Sequence, residues 1–207
     1  MTAAQWWSVS VQIAGVVASL ILAVLAIWGD YFRSWLAGPK LHVSLLNSEG
    51  EKTFWTGNIP TRFYHLRVTN SRRWAPAKNA RVVLTSLARM AADNSLTPLH
   101  LSGALQLTWQ FPQVSPQYAE IGPDHTCDLG YVLADKGFQM STYVTPNNFQ
   151  GVVRARERMR VEIQAFADNA QSNVLYLEIA WDGLWSEDTA EMQRHLVVKT
   201  VGSLHGV

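Results

Sequence analysis

The 207-residue chain carries 17 Lys and Arg against 16 Asp and Glu, a formal charge of +1, with 48% of residues hydrophobic and 16% charged. Near-balanced charge without a long block of one sign disfavours a nucleic-acid arm or an acidic tail. The one cysteine, Cys127, cannot close an intramolecular disulfide, so the domain depends on its core and is compatible with a reducing compartment.

From Ser8 to Trp28 the run SVSVQIAGVVASLILAVLAIW carries no charge and one amide, Gln12. About 21 residues at ~1.5 Å rise reach roughly 31 Å, enough to cross a bilayer as a helix. Trp6 and Trp7 before the run, and Trp28, Tyr31 and Trp35 after it, stand where amphipathic rings settle at the two headgroup levels. A cleaved signal peptide is the competing reading, because Val24-Leu25-Ala26 offers small residues at suitable spacing. Against it, no Lys or Arg precedes the run, and the run is long.

Residues 1–7 hold no Lys or Arg, whereas Arg33 and Lys40 follow the run, so the positive-inside rule places the C-terminal domain in the cytoplasm. Tyr31, Phe32, Trp35 and Leu36 continue one apolar helical face until Gly38-Pro39 ends it. The expected organisation is therefore a transmembrane helix with a short interfacial connector over residues 1–38, then one domain over 39–207. Ala14-Gly15 and Ala18-Ser19 set small residues four apart on the span, a weak signal for helix pairing that leaves the oligomeric state open.

After Pro39 the period changes to two. Leu41, Val43 and Leu45 alternate with His42 and Ser44; Tyr64, Leu66 and Val68 with His65, Arg67 and Thr69; Leu105, Leu107, Trp109 and Phe111 with Gln106, Thr108 and Gln110. Further strands are predicted at Ala80 to Leu87, Cys127 to Leu133, Phe138 to Val144, Arg158 to Ala167, Leu175 to Trp181 and Leu196 to Val201, nine as an upper count. Turn residues such as Gly122-Pro123-Asp124, Asp135-Lys136-Gly137, Asp168-Asn169 and Asp182-Gly183 separate them. Ser186 to Gln193 is the one helix-capable stretch, and Glu49 to Arg62 and Ala91 to Gly103 read as long loops. Without βαβ alternation, the pattern predicts a mainly β fold, an antiparallel sandwich of the immunoglobulin or fibronectin type.

The stretch YHLRVTNSRRWAPAKNARVVL from Tyr64 to Leu84 resembles a strand pair of bacterial immunoglobulin-like adhesion or interaction modules: a strand ending in Asn, a turn, Ala, then a second strand. With its anchor, Cys127-Asp-Leu-Gly-Tyr-Val and Trp181-Asp-Gly-Leu-Trp185, the whole chain is similar to uncharacterised bacterial membrane-anchored proteins. The resemblance implies architecture and brings no activity with it.

Chemistry-bearing motifs are sparse. No G-x-S-x-G elbow marks a nucleophile, and sequence names no catalytic, cofactor-binding or metal-binding residue. His125, Cys127 and Asp128 are the densest group of potential ligands, but alternation puts Cys127 on one face with Leu129 and Tyr131, where a thiol packs as a small apolar group. Arg154, Arg156, Arg158 and Arg160 are spaced by two and would line one strand face, opposite Met159, Val161 and Ile163. Such a stripe suits anionic lipid headgroups or an acidic protein partner. Arg72 and Arg73, with Arg67, Lys78 and Arg81, form a second basic patch around the turn that carries Trp74, and Trp185 is an exposed-aromatic candidate beside Trp181, which reads as core. The resulting expectation is a membrane-anchored recognition module without chemistry of its own, binding a protein partner or the membrane face. Its rivals are a hydrolase with a convergent pocket, or an extracytoplasmic carbohydrate binder marked by exposed coplanar rings at Trp55, Trp74 or Trp185.

Overall fold

The computed structural model describes residues 3–55, 57–110, 117–134 and 136–204. The chain divides into two compact units, Met1–Gly38 and Pro39–Val207. In the first, α1 spans Ala3–Ala37 and contains a 20-residue stretch, Ser10–Gly29, long and apolar enough to cross a membrane. Two of its hydroxyls are satisfied internally: those of Ser10 and Ser19 donate to the Trp6 and Gly15 carbonyls at 2.9 Å. The interfacial face at Tyr31, Phe32, Trp35 and Leu36, with Arg33, falls outside the described side chains, as Phe111 falls outside the described residues.

The second unit is built from strands in two antiparallel sheets. In the first sheet, β3 (Ile59–Asn70) pairs on one edge with both β1 (Leu41–Leu45) and β2 (Glu51–Trp55), and on the other with β8 (Asp124–Leu133). Beyond β8 lie β9 (Gly137–Met140) and β10 (Val152–Val153). In the second sheet, β4 (Ala77–Met90) pairs with β11 (Glu157–Ala167), followed by β12 (Ala170–Trp181) and β13 (Leu196–Val201). The free edge of β4 is covered by three short strands, β5 (Leu96–Pro98), β6 (Leu105–Gln106) and β7 (Ala119–Ile121).

The layering follows from alternation. Tyr64, Leu66 and Val68 of β3, Met159, Val161 and Ile163 of β11, and Leu175, Leu177 and Ile179 of β12 are buried in one core shared by both sheets. Trp181 joins that core, with its indole N–H donating to the Leu184 carbonyl at 3.1 Å. The fold is thus mainly β and sandwich-like, as the alternation predicts. Strands β3 and β4, which the Tyr64–Leu84 stretch presents as neighbours, lie in different sheets, so the Asn70–Ala77 turn carries the chain across the core.

Several expectations are corrected. The described residues hold thirteen strands, not nine at most. Glu49 to Arg62 is no long loop: it contains β2 and its turn into β3, where Gly57 and Asn58 take positive φ of 85° and 59°. β2 escapes the alternation test because Glu51–Trp55 is exposed throughout. Ala91 to Gly103 likewise holds β5. Leu105 to Gln110 does not remain one strand. Its first residues pair with β4, and Trp109 then bridges to Cys127 of β8, so the segment passes from one sheet to the other. The short helix α2 is Thr189–His195, displaced from the expected stretch because Asp188 is its N-cap, its carboxylate accepting from the Glu191 N–H at 2.8 Å.

Candidate binding cleft

One bulge decides which side chains meet on the outer face of the first sheet. The β3–β8 register runs Phe63 opposite Tyr131 and Tyr64 opposite Gly130, then shifts so that His65 lies opposite Asp128. Leu129 is the extra residue. Asp128 and Tyr131 are an odd number apart and belong on opposite faces of a regular strand; the bulge returns both to the outer face. The alternation that places Tyr131 with Cys127 and Leu129 is corrected for this reason: Cys127 and Leu129 are fully buried, whereas Tyr131 is half-buried in the cleft. Gly130 permits the close approach, since an added Cβ would press on the Gln139 carbonyl and lie 2.7 Å from Phe138 Cζ.

The outer face is concave. A cleft of about 500 Å³ is lined by Glu51, Lys52, Thr53 and Trp55 of β2, Phe63 and His65 of β3, Asp128 and Tyr131 of β8, and Thr108, Gln110 and Ser141. At one end the aromatic rings lie nearly parallel. Trp55 and Tyr131 are 5.0 Å apart at 16°, Trp55 and Phe63 6.0 Å at 20°, and Phe63 and Tyr131 5.3 Å at 33°. Trp55 remains 41% exposed. Burial raises the Tyr131 phenol above its ordinary value, and its hydroxyl donates to Gln139 Oε1 at 3.1 Å.

At the other end the floor is polar and nearly closed to solvent. His65 Nδ1 lies 2.9 Å from Asp128 Oδ1, with His65 3% and Asp128 7% exposed. An ionised carboxylate only accepts, so Nδ1 carries the hydrogen of this bond and Asp128 fixes the ring. Nε2 then faces Glu51 Oε2 at 3.5 Å. Thr108 Oγ1 and Ser141 Oγ share a hydrogen bond of 2.6 Å. The crossing segment is tied to β8 by the Asp128 N–H to the Thr108 carbonyl at 2.8 Å and the Gln110 N–H to the Thr126 carbonyl at 3.1 Å. Lys52 is held by Glu187 at 2.7 Å.

The residues singled out from sequence are elsewhere. β11 begins at Glu157, so Arg154 and Arg156 precede it, the latter with φ of 63°, and the predicted four-residue stripe does not form. Arg158 and Arg160 do share the outer face, but both turn onto Glu178. Arg158 Nη2 donates to Oε1 at 2.9 Å, Arg160 Nε to Oε2 at 3.2 Å, and Lys199 adds a contact at 3.3 Å. Burial opposes ionisation of Glu178, yet the hydrogen bonds from Arg158, Lys199 and Arg160 outweigh it and hold the carboxyl below its ordinary value.

Arg72 and Arg73 lie on the turn with Trp74, which is 75% exposed, and Trp185 is half-buried against the core. Of the densest potential ligand group, His125 packs edge-on to Trp109 at 5.0 Å, Cys127 points into the core and Asp128 into the cleft. Burial, reinforced by the Asp128 charge, pushes the Cys127 thiol well above its ordinary value.

Fold and cleft together define a β-sandwich domain with a ligand-sized recess on the outer face of one sheet. Compared with known proteins, the chain matches no family model and no curated protein.

Proposed function

We propose that the chain is a single-pass membrane protein whose β-sandwich, held on the cytoplasmic side, is a recognition module that binds its partner in the Trp55–His65 cleft. The cleft carries this reading. Its volume lies in the usual range for small-ligand sites, and it pairs an aromatic end with a few oriented polar groups. The Ser10–Gly29 helix supports the tether, and the Arg33 and Lys40 bias supports the orientation. Arg158 and Arg160, engaged by Glu178, are poorer candidates for lipid or partner binding than the exposed groups of the cleft.

Tether and orientation are tested by extraction of membranes at alkaline pH, and by C-terminal fusions to a reporter active only in the cytoplasm and to one active only outside it. Retention in the membrane with a cytoplasmic signal supports the reading. Release into the supernatant, or an external signal, overturns that part of it.

A hydrolase is the second reading, because Asp128 orients His65 as a base is oriented in acyl transfer. It predicts labelling of Ser141 by a fluorophosphonate probe, lost in His65→Ala. The recognition reading predicts no labelling, in keeping with the Ser141 and Thr108 hydroxyls bonding to each other.

A further inference from the structure

We infer that the cleft binds a neutral saccharide, free or as the headgroup of a lipid, by stacking a sugar ring on the exposed indole of Trp55 and accepting a sugar hydroxyl at Glu51. The inference rests on the cleft being the recognition surface and names the chemistry of its ligand.

At the polar end the His65 ring stands between two carboxylates. Asp128 Oδ1 lies 2.9 Å from His65 Nδ1, and Glu51 Oε2 lies 3.5 Å from His65 Nε2. A sugar hydroxyl donates to the Glu51 carboxylate, whose side chain is 56% exposed. The sugar's oxygens meet the polar lining that Thr108 and Ser141 add to the cleft. At the apolar end the indole of Trp55 and the phenol of Tyr131 lie within 16° of parallel, with Trp55 41% exposed. The exposed part of that indole takes the flat, C–H-bearing face of a pyranose, which presents apolar surface on one side and hydroxyls at its rim.

Two alternatives fit less well. An anion meets the carboxylates of Glu51 and Asp128. An organic cation suits carboxylates and aromatic rings, but a cation cage sets rings around the charge, whereas these are packed against one another at 16°, 20° and 33°.

The test uses the full chain in phospholipid nanodiscs, avoiding detergents with sugar headgroups. One arm titrates an array of neutral soluble oligosaccharides, a second uses vesicles bearing glycolipids with the same sugars, and a third uses tetramethylammonium as the cation probe. Saturable binding in either of the first two arms is expected and identifies the source of the sugar. Trp55→Ala and Glu51→Gln should each weaken it by about tenfold or more, with Trp74→Ala without effect and folding checked by circular dichroism. Both variants alter exposed β2 residues, so the fold is expected to survive. Absence of binding in both sugar arms, binding of the cation alone, or sugar binding indifferent to both variants overturns the inference. Cross-linking from the cleft to a partner of another kind would leave the recognition reading standing without the sugar.

Discussion

Replacing Glu178 with Gln removes the charge at the centre of the outer-face network while keeping the side chain's size. Three cations contact the carboxylate, and their exposures differ: 16% for Arg160, 38% for Arg158 and 55% for Lys199, against 4% for Glu178 itself. The Arg160 bond is the most shielded and falls in the range of charge-assisted bonds, about 1.5–3 kcal/mol. The other two are discounted for solvent screening to about 0.2–1 kcal/mol each. The glutamine carbonyl retains one acceptor, so a net loss of about 2 kcal/mol is expected, or about 4–8 °C in Tm for a domain of this size.

The pH dependence is specific. Because the folded carboxyl titrates below its ordinary value, its stabilisation is present above about pH 4.3 and is lost as pH falls through the folded value. Urea unfolding of the full chain in micelles, followed by tryptophan fluorescence from pH 7 to pH 3, measures both effects. The gap between wild type and Glu178→Gln should hold at neutral pH and close in acid. Equal stability at pH 7, or a gap that persists unchanged to pH 3, would refute the assignment of Arg158 and Arg160 to a structural network.

Gly130→Ala should destabilise by about 2–3 kcal/mol in the same unfolding assay, since the new methyl presses on the Gln139 backbone and Phe138 at the bulge that aims Asp128. Cys127, buried with its thiol pushed up, should resist iodoacetamide at pH 8 in the native state and react on unfolding, as read by mass spectrometry. Leu20→Arg sets a charge near the middle of the span at a cost of about 2.5–3.5 kcal/mol, so the share of chain in the alkaline-washed membrane fraction should fall.

The sandwich was legible because its longest strands bury one face, and burial imposes a period of two. β1 and β13 emerge at their observed bounds, and the core faces of β3, β11 and β12 follow from their apolar alternates. Sequence has no such handle on β2, whose five residues are all exposed and which exists through pairing with β3. The cleft was hidden for the same reason. Its aromatic end needs Trp55 brought beside Tyr131, and its polar end needs His65 and Asp128, 63 residues apart, joined across a bulge that reverses the alternation. His65, Thr108 and Gln110 were recognisable as outward residues of their segments, but their convergence depends on register. The arginine spacing misled because it assumes one continuous strand. Arg156 has a positive φ, and β11 starts only at Glu157, so half of the stripe lies outside it.

The most direct test of recognition at the cleft is photo-cross-linking of the full chain in membranes of the native host. A photoreactive residue replaces either Thr53, exposed in the cleft, or Val174, exposed on β12 of the other sheet. Recognition through the cleft predicts a discrete adduct from position 53, diminished by Trp55→Ala, and none from position 174. No adduct from position 53, or equal adducts from both positions, would contradict it.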